Sequence, residues 1–345
     1  MHGPQDLNSV NRQWVLAARP EGPVRETDFR FVETPLLALA AGQFRIQTLY
    51  LGVAAVMRGY MLNTEKFERP LELGDVIHGR GVGRIVESRH PDFAVGEIVH
   101  GKLGWQQFSI ADGSPYYLMF KVGQRVAPVS TALSVLGLTG FTSYLGLVDI
   151  GAVRPGDTVL VSGAAGGVGS LVGQIARNLG ASAVGIAGSA DKCRLLTSTL
   201  GYRAAIDYRS EDVARRIGEL CPDGIDVYFD NVGGEILDAG LAHIRRHARV
   251  VLCGAISQYV NGDERPRPLH NAFAIFKKMA RMEAFFIYEM SEHFARAETQ
   301  LAQWVAAGCL HYQEDILEGI EQMPRALIRL FEGRNVGKQL VHVAS

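Results

Sequence analysis

The chain has 345 residues, 47% of them hydrophobic, which is enough to bury a sizeable core and to build two domains. Its 35 basic and 36 acidic side chains leave a formal charge of −1, so there is no electrostatic case for nucleic acid or an anionic membrane as partner. Four scattered cysteines, Cys193, Cys221, Cys253 and Cys309, form neither a C-x-x-C pair nor a disulfide framework, and the polar start QDLNSVNRQ lacks the apolar core of a signal peptide. A soluble, cytoplasmic protein acting on small molecules is the expectation.

From Trp14 to Ser109 the text is strand-like: RQWVLAA, FRIQTLYLGV, GRGVGRIVES, GEIVHGKLG and WQQFSI follow one another between Pro, Gly and Asp turns. This predicts a mainly antiparallel, barrel-like domain over residues 1–128. The uncharged window from Val126 to Val148 is long enough to span a bilayer, but it contains Pro128, three glycines and six Ser/Thr residues. It reads as buried helices at a domain junction.

The next stretch, TVLVSGAAGGVGSLVGQIARNL (158–179), organises the rest. A β-branched run enters a glycine cluster and leaves in apolar positions at helical spacing, Val168, Leu171, Val172, Ile175 and Leu179. Strand, tight turn and helix follow, and the turn Ala164-Ala165-Gly166-Gly167-Val168-Gly169 is an A-x-G-x-x-G form of the dinucleotide fingerprint. Side chains are missing where backbone must approach a pyrophosphate, and helix amides face the phosphate charge. Downstream, SAVGIAG, AAIDY, GIDVYFDNVGG, ARVVLCG and MEAFFIY read as strands. They alternate with helical stretches such as DKCRLLTSTLG and EILDAGLAHIRR, which predicts a doubly wound parallel sheet. The fold class expected is α/β, with this Rossmann unit over residues 129–307. After a helix around Glu298 to Ala307, the tail 308–345 (GIEQMPRALIRLFEG, then KQLVHV) returns to the first domain.

The second strand ends Gly185-Ile186-Ala187-Gly188-Ser189, without the acid that holds a ribose 2′-hydroxyl in NAD-binding units. Lys192 follows, and Tyr208 and Arg209 end the third strand. Cationic and phenolic donors there favour NADPH, although either cation taken alone also reads as a solvated surface residue.

Together with the motifs NRQWVLAARPEGPV, VMRGYM, GWQQFSI, LGLTGFTSYLGL, FDNVGG, VLCGAISQY, RMEAFFIY and GRNVGKQ, this layout resembles the medium-chain dehydrogenase/reductase superfamily. Within it, the chain is similar to the zinc-independent branch of prostaglandin reductases, alkenal double-bond reductases and bacterial curcumin reductase. The resemblance implies a GroES-like barrel domain and a homodimer. It implies that Ala165, Gly166, Gly167, Val168 and Gly169 hold the pyrophosphate, with Gly188, Lys192 and Tyr208 around the 2′-phosphate. Asn231 and the segment Cys253, Gly254, Ala255, Ile256 and Ser257 would line the ribose and nicotinamide side; Phe285, Phe286 and Ile287 would flank the carboxamide; Asn335 would close over the cofactor. No metal is expected, since His78 lies near the place of the zinc histidine but has neither the cysteine nor the glutamate of such a site.

Without metal, the chemistry implied is hydride transfer to the β-carbon of an α,β-unsaturated ketone or aldehyde, with Tyr259 stabilising the enolate oxygen. Where the family has Asp-Pro-Tyr, this chain has Ala54-Ala55-Val56, so a pocket hydroxyl is missing at Val56 and Tyr60 is its candidate replacement. A quinone oxidoreductase of the same superfamily and a non-catalytic NADPH-binding protein remain alternatives.

Overall fold

The computed structural model describes residues 10–62, 69–123, 128–259 and 268–344. Part of the polar start and the charged loop after Tyr259 (260–267) lie outside them. The described residues form two compact units, one from residues 1–133, 316–334 and 339–345, the other from residues 134–315 and 335–338.

The first unit carries β1 (Val10–Leu16), β2 (Phe29–Pro35), β3 (Phe44–Gly52), the single turn α1 (Met57–Tyr60), β4 (Arg80–Ser88), β5 (Ile98–Lys102), β6 (Phe108–Ala111) and β7 (Phe120–Lys121). The second carries α2 (Leu138–Leu145), β8 (Thr158–Val161), α3 (Gly169–Asn178), β9 (Ser182–Ala187), α4 (Ala190–Ser198), β10 (Ala204–Asp207) and α5 (Val213–Leu220). It continues with β11 (Ile225–Asp230), α6 (Gly234–Leu241), β12 (Ile244–Leu252), α7 (Ile256–Tyr259), α8 (Phe273–Lys277), β13 (Arg281–Ala284) and α9 (Phe294–Ala306). The tail adds β14 (Glu314–Glu318), α10 (Met323–Phe331) and β15 (Lys338–His342).

In the first unit β3 is buried along almost its whole length, as a central strand must be, and β15 returns to pair with it antiparallel, Leu340 opposite Gly52. Register shifts between Arg45 and Ile46 and between Thr48 and Tyr50 bend β3 against β4, and such bulges let a sheet curl towards a barrel. The sheet order is β14-β15-β3-β4-β5-β7, with β6 on β3. At the centre of the core Trp105, fully buried, stacks on Phe29 with ring centroids 5.2 Å apart.

The second unit is a parallel sheet in the order β10-β9-β8-β11-β12-β13. This is the doubly wound sheet expected. Two stretches differ from the sequence reading. The end of EILDAGLAHIRR is not helical: Ile244 already pairs with Ile225, and the register then jumps to Arg249 opposite Val227 across a bulge that contains His247 at φ 63°. MEAFFIY is a strand only to Ala284, after which the chain turns into 3-10 helix from Ile287. No helix among the described residues is long and apolar enough to cross a membrane, and Leu138–Leu145 is a buried helix of eight residues.

Removing a fully buried aromatic of this size costs about 3–5 kcal/mol. Trp105→Ala should lower the unfolding free energy by that amount in denaturant titration. A loss below about 1 kcal/mol would contradict the packing described.

Candidate active site

The glycine turn is built from backbone geometry. Gly163 leaves β8 at φ 59°, and its carbonyl accepts from Gly166 N–H at 3.0 Å. A Cβ on Gly169 would lie 2.4 Å from that same carbonyl oxygen, so only glycine lets α3 start so close to the strand. Ser170, Leu171 and Val172 give their amides to Gly166 and Val168. Among the described residues the amides of Val168 and Gly169 meet no backbone acceptor, while Gly167 is drawn to the tail by the parallel bridge of Gly166 with Gly337; a turn presenting amides in this way could hold a pyrophosphate. The tail joins it: Gly337 donates to Ala165 O at 2.9 Å, and Asn335, buried, donates through Nδ2 to Gly337 O at 2.9 Å. The Asn335 amide thus braces the tail that pairs with the cradle.

At the tips of β9 and β10 the expected 2′-phosphate residues come together. Tyr208 N–H bonds Ala187 O at 3.0 Å, and the Tyr208 ring lies so close over Gly188 that a Cβ there would meet Cε1 at 2.8 Å. The Arg209 guanidinium stands 5.9 Å from the Tyr208 ring centre. Ser189 caps α4 by accepting from Lys192 N–H. The Lys192 ammonium is pushed below the usual lysine range by burial and then by Arg209, with Asp315 opposing. Two cations share this corner, and the nearest acid on α4, Asp191, pairs with Arg194. A phosphate dianion fits these donors; a bare hydroxyl does not need them.

The sheet order reverses at β8, which has β9 on one side and β11 on the other, and the crevice at such a switch point is where dinucleotides bind. Asp230, fully buried at the end of β11, accepts from Ser162 Oγ (2.6 Å), Gly233 N–H (2.8 Å) and Tyr228 Oη (3.2 Å). Burial raises its carboxyl pKa while these donors oppose the rise. Ser162 Oγ also accepts from Asn231 N–H at 2.8 Å, and Asn231 Nδ2 donates to Ser162 O at 2.7 Å. Neither Ser162 nor Asp230 was legible as part of the site. Their signal is a Ser one residue past the first strand and an Asp ending the fourth, two positions that only the parallel pairing brings side by side.

The segment after β12 is tied to the same turn. Cys253 and Gly254 donate to Asp230 O, Ile256 to Asn231 O, and Ser257 to Val232 O through both N–H and Oγ, the latter at 2.6 Å. Tyr259 ends α7 half-buried, its phenol raised above the ordinary range by burial, so it is a proton donor at neutral pH. Burial and then Asp230 push the Cys253 thiol up to about 12, well above the range of a reactive thiolate. Phe285 follows β13 with its ring against Gly146, where a Cβ would meet Cζ at 2.7 Å; Phe286 and Ile287 continue half-buried.

Val56 and Tyr60 belong to the first unit. Val56 precedes α1, and the Tyr60 ring meets His78 edge-on at 5.7 Å. This short turn is pinned from both sides, by buried Arg58 donating to Gly22 O at 2.7 Å and by Arg19 donating to Met61 O at 3.1 Å. Among the described residues no group of three or more His, Cys, Asp or Glu is placed to hold a metal ion.

Two family models match the chain, an N-terminal domain of oxidoreductases over residues 12–118 and a zinc-binding dehydrogenase model over residues 167–305. The chain is 39% identical to the NADPH-dependent curcumin reductase of Escherichia coli (strain K12) over 97% of each protein. It is 36% identical to the NADP(+)-dependent 2-alkenal reductase of Nicotiana tabacum, over 97% of this chain and 98% of that one. The structure of CurA from Vibrio vulnificus in complex with NADPH matches with a TM-score of 0.91 at 36% identity, covering 97% of this chain and 99% of that one. With likeness of this extent, the chain belongs to the medium-chain dehydrogenase/reductase superfamily, in its zinc-independent branch of curcumin, alkenal and prostaglandin reductases.

Proposed function

We propose that the protein reduces the activated C=C bond of α,β-unsaturated ketones and aldehydes. The cofactor is NADPH, which supplies the hydride when bound. What supports the reading is the place of Tyr259 on the segment hydrogen-bonded to Asn231 and Asp230, at the carboxyl ends of the same strands as the glycine turn. As a β-carbon accepts hydride, negative charge grows on the substrate's carbonyl oxygen. A phenol, protonated at neutral pH, would donate to that oxygen and stabilise it more than it stabilises the uncharged ground state. Ala165 to Gly169 anchor the pyrophosphate, Lys192, Tyr208 and Arg209 the 2′-phosphate, and Asn231 with residues 253–257 the ribose side. Val56 and Tyr60 would face the substrate, with Val56 making that wall more apolar than a tyrosine would. Turnover of 2-alkenals but not benzoquinones separates this reading from a quinone reductase; cofactor binding with turnover of neither would mark a non-catalytic protein.

The protein is further proposed to be a cytoplasmic homodimer. Its four cysteines are free thiols, as a reducing compartment requires. β13 is an edge strand, Met282 on it is 38% exposed, and the neighbouring Phe273 and Phe276 are 61% and 74% exposed while stacking at 5.4 Å. β13 itself carries an Arg281–Glu283 ion pair, so what a two-fold copy would cover is the exposed apolar patch of Met282, Phe273 and Phe276. Light scattering at micromolar concentration should give twice the chain mass; a monomer would count against the dimer.

Wild-type protein should bind NADPH at least about tenfold more tightly than NADH, a difference of about 1.4 kcal/mol that one charge-assisted phosphate contact supplies. Lys192→Ala should remove most of that preference by weakening NADPH alone, read by fluorescence titration. Equal affinities in the wild type would sink the 2′-phosphate assignment.

Tyr259→Phe keeps the ring and removes the donor. It should lower kcat for enone reduction by about a hundredfold while NADPH affinity stays within about threefold. Retention of more than about half the wild-type kcat, with chemistry rate-limiting, would remove Tyr259 from the mechanism.

A further inference from the structure

Ser162, the first residue after β8, is fully buried, and both its hydroxyl and its main chain hold Asn231. The hydroxyl gives its one proton to Asp230 Oδ1 at 2.6 Å and accepts from Asn231 N–H at 2.8 Å. With that proton spent on a carboxyl and no surface exposed, the side chain acts on its neighbours rather than on a ligand. The Asn231 N–H belongs to the Asp230–Asn231 peptide group. The carbonyl of that same planar group, Asp230 O, accepts from Cys253 N–H at 2.9 Å and Gly254 N–H at 3.2 Å. One side-chain oxygen therefore fixes the peptide to which the start of the segment 253–257 is bonded. The half-buried Asn231 side chain is held by the same residue: Nδ2 donates to Ser162 O at 2.7 Å, so Oδ1, an acceptor, is the carboxamide atom that remains to meet a sugar hydroxyl.

The sheet order says which half of a dinucleotide these contacts serve. β9 and β10, with Lys192 and Tyr208 at their tips, lie on one side of β8, and β11 and β12 lie on the other. A pyrophosphate crossing the tip of β8 puts the adenosine half over the first pair and the nicotinamide half over the second. We propose that Ser162 is a positioning residue for the nicotinamide half: its hydroxyl, between Asp230 and the Asn231 N–H, holds the Asp230–Asn231 peptide, and with it the Asn231 carboxamide and residues 253–257, in the orientation that binds the ribose. The inference rests on the reading of this crevice as the cofactor site.

Ser162→Ala deletes that oxygen alone. Dissociation constants of NADPH and NADH, from fluorescence titration, should rise by the same factor, about threefold to tenfold for one lost hydrogen-bonding group. Adenosine 2′,5′-bisphosphate has the adenine end and the 2′-phosphate but no nicotinamide half, and its dissociation constant, from calorimetry, should stay within about twofold. In an Asn231→Ala background the same substitution should weaken NADPH by a smaller factor than in the wild type, because one of the groups it positions is gone. A purely structural serine would weaken the bisphosphate as much as the dinucleotides, or lower the melting temperature and leave all three constants unchanged. Either result overturns the proposal, as do equal factors in the two backgrounds. Where the alanine variant does not fold, Ser162→Cys, which keeps a weaker donor and acceptor in that place, carries the same test: the dinucleotides should weaken and the bisphosphate should not. If the wild type binds neither the dinucleotides nor the bisphosphate, it is the cofactor reading that fails.

Discussion

The buried carboxyl of Asp230 is the contact on which the cofactor side depends. It lies at the end of β11, yet its hydrogen bonds reach Ser162 past the end of β8 and the Val232–Gly233 turn before α6, while its backbone carbonyl takes the amides of Cys253 and Gly254 after β12. The chain leaving three neighbouring strands, β8, β11 and β12, is therefore tied to one residue. A carboxyl taken out of water is costly unless it is hydrogen-bonded, and here Oδ1 accepts from Ser162 and Tyr228 and Oδ2 from Gly233. That requirement places Asn231, because the Ser162 hydroxyl serves Asp230 and the Asn231 amide at once.

The sequence disclosed those parts of the molecule whose signal is local. The glycine turn was legible because close backbone approach removes side chains in a fixed order, and Gly169 with Gly163 bears this out at 2.4 Å. The parallel sheet was legible from β-branched runs alternating with helical spacing. The features that stayed hidden depend on pairing distant in sequence. Ser162 and Asp230 are 68 residues apart, and Tyr202 meets Gly173 across 29. The misread end of EILDAGLAHIRR has the same origin: Ile244 is apolar at helical spacing, but its partner Ile225 draws it into the sheet and the bulge absorbs the charged residues.

Electrostatics divides the site into two ends with different logic. At the tips of β9 and β10, Lys192 and Arg209 repel one another in the free protein, so charge arriving between them relieves an existing cost. At the other end burial raises the pKa values of Tyr259, Cys253 and Asp230, with the donors from Ser162, Gly233, Val232 and Tyr228 opposing the rise at Asp230.

The return of the tail has a consequence for how such a chain is made. Residues 335–338 complete the glycine cradle through Gly337 and Ala165, and the next four residues supply a strand inside the first unit's sheet, beside β3. Both contacts join segments far apart in sequence, Gly337 with Ala165 and Leu340 with Gly52. Contacts of such sequence separation form late and slowly. A nucleotide that binds only the closed turn would stabilise the completed state.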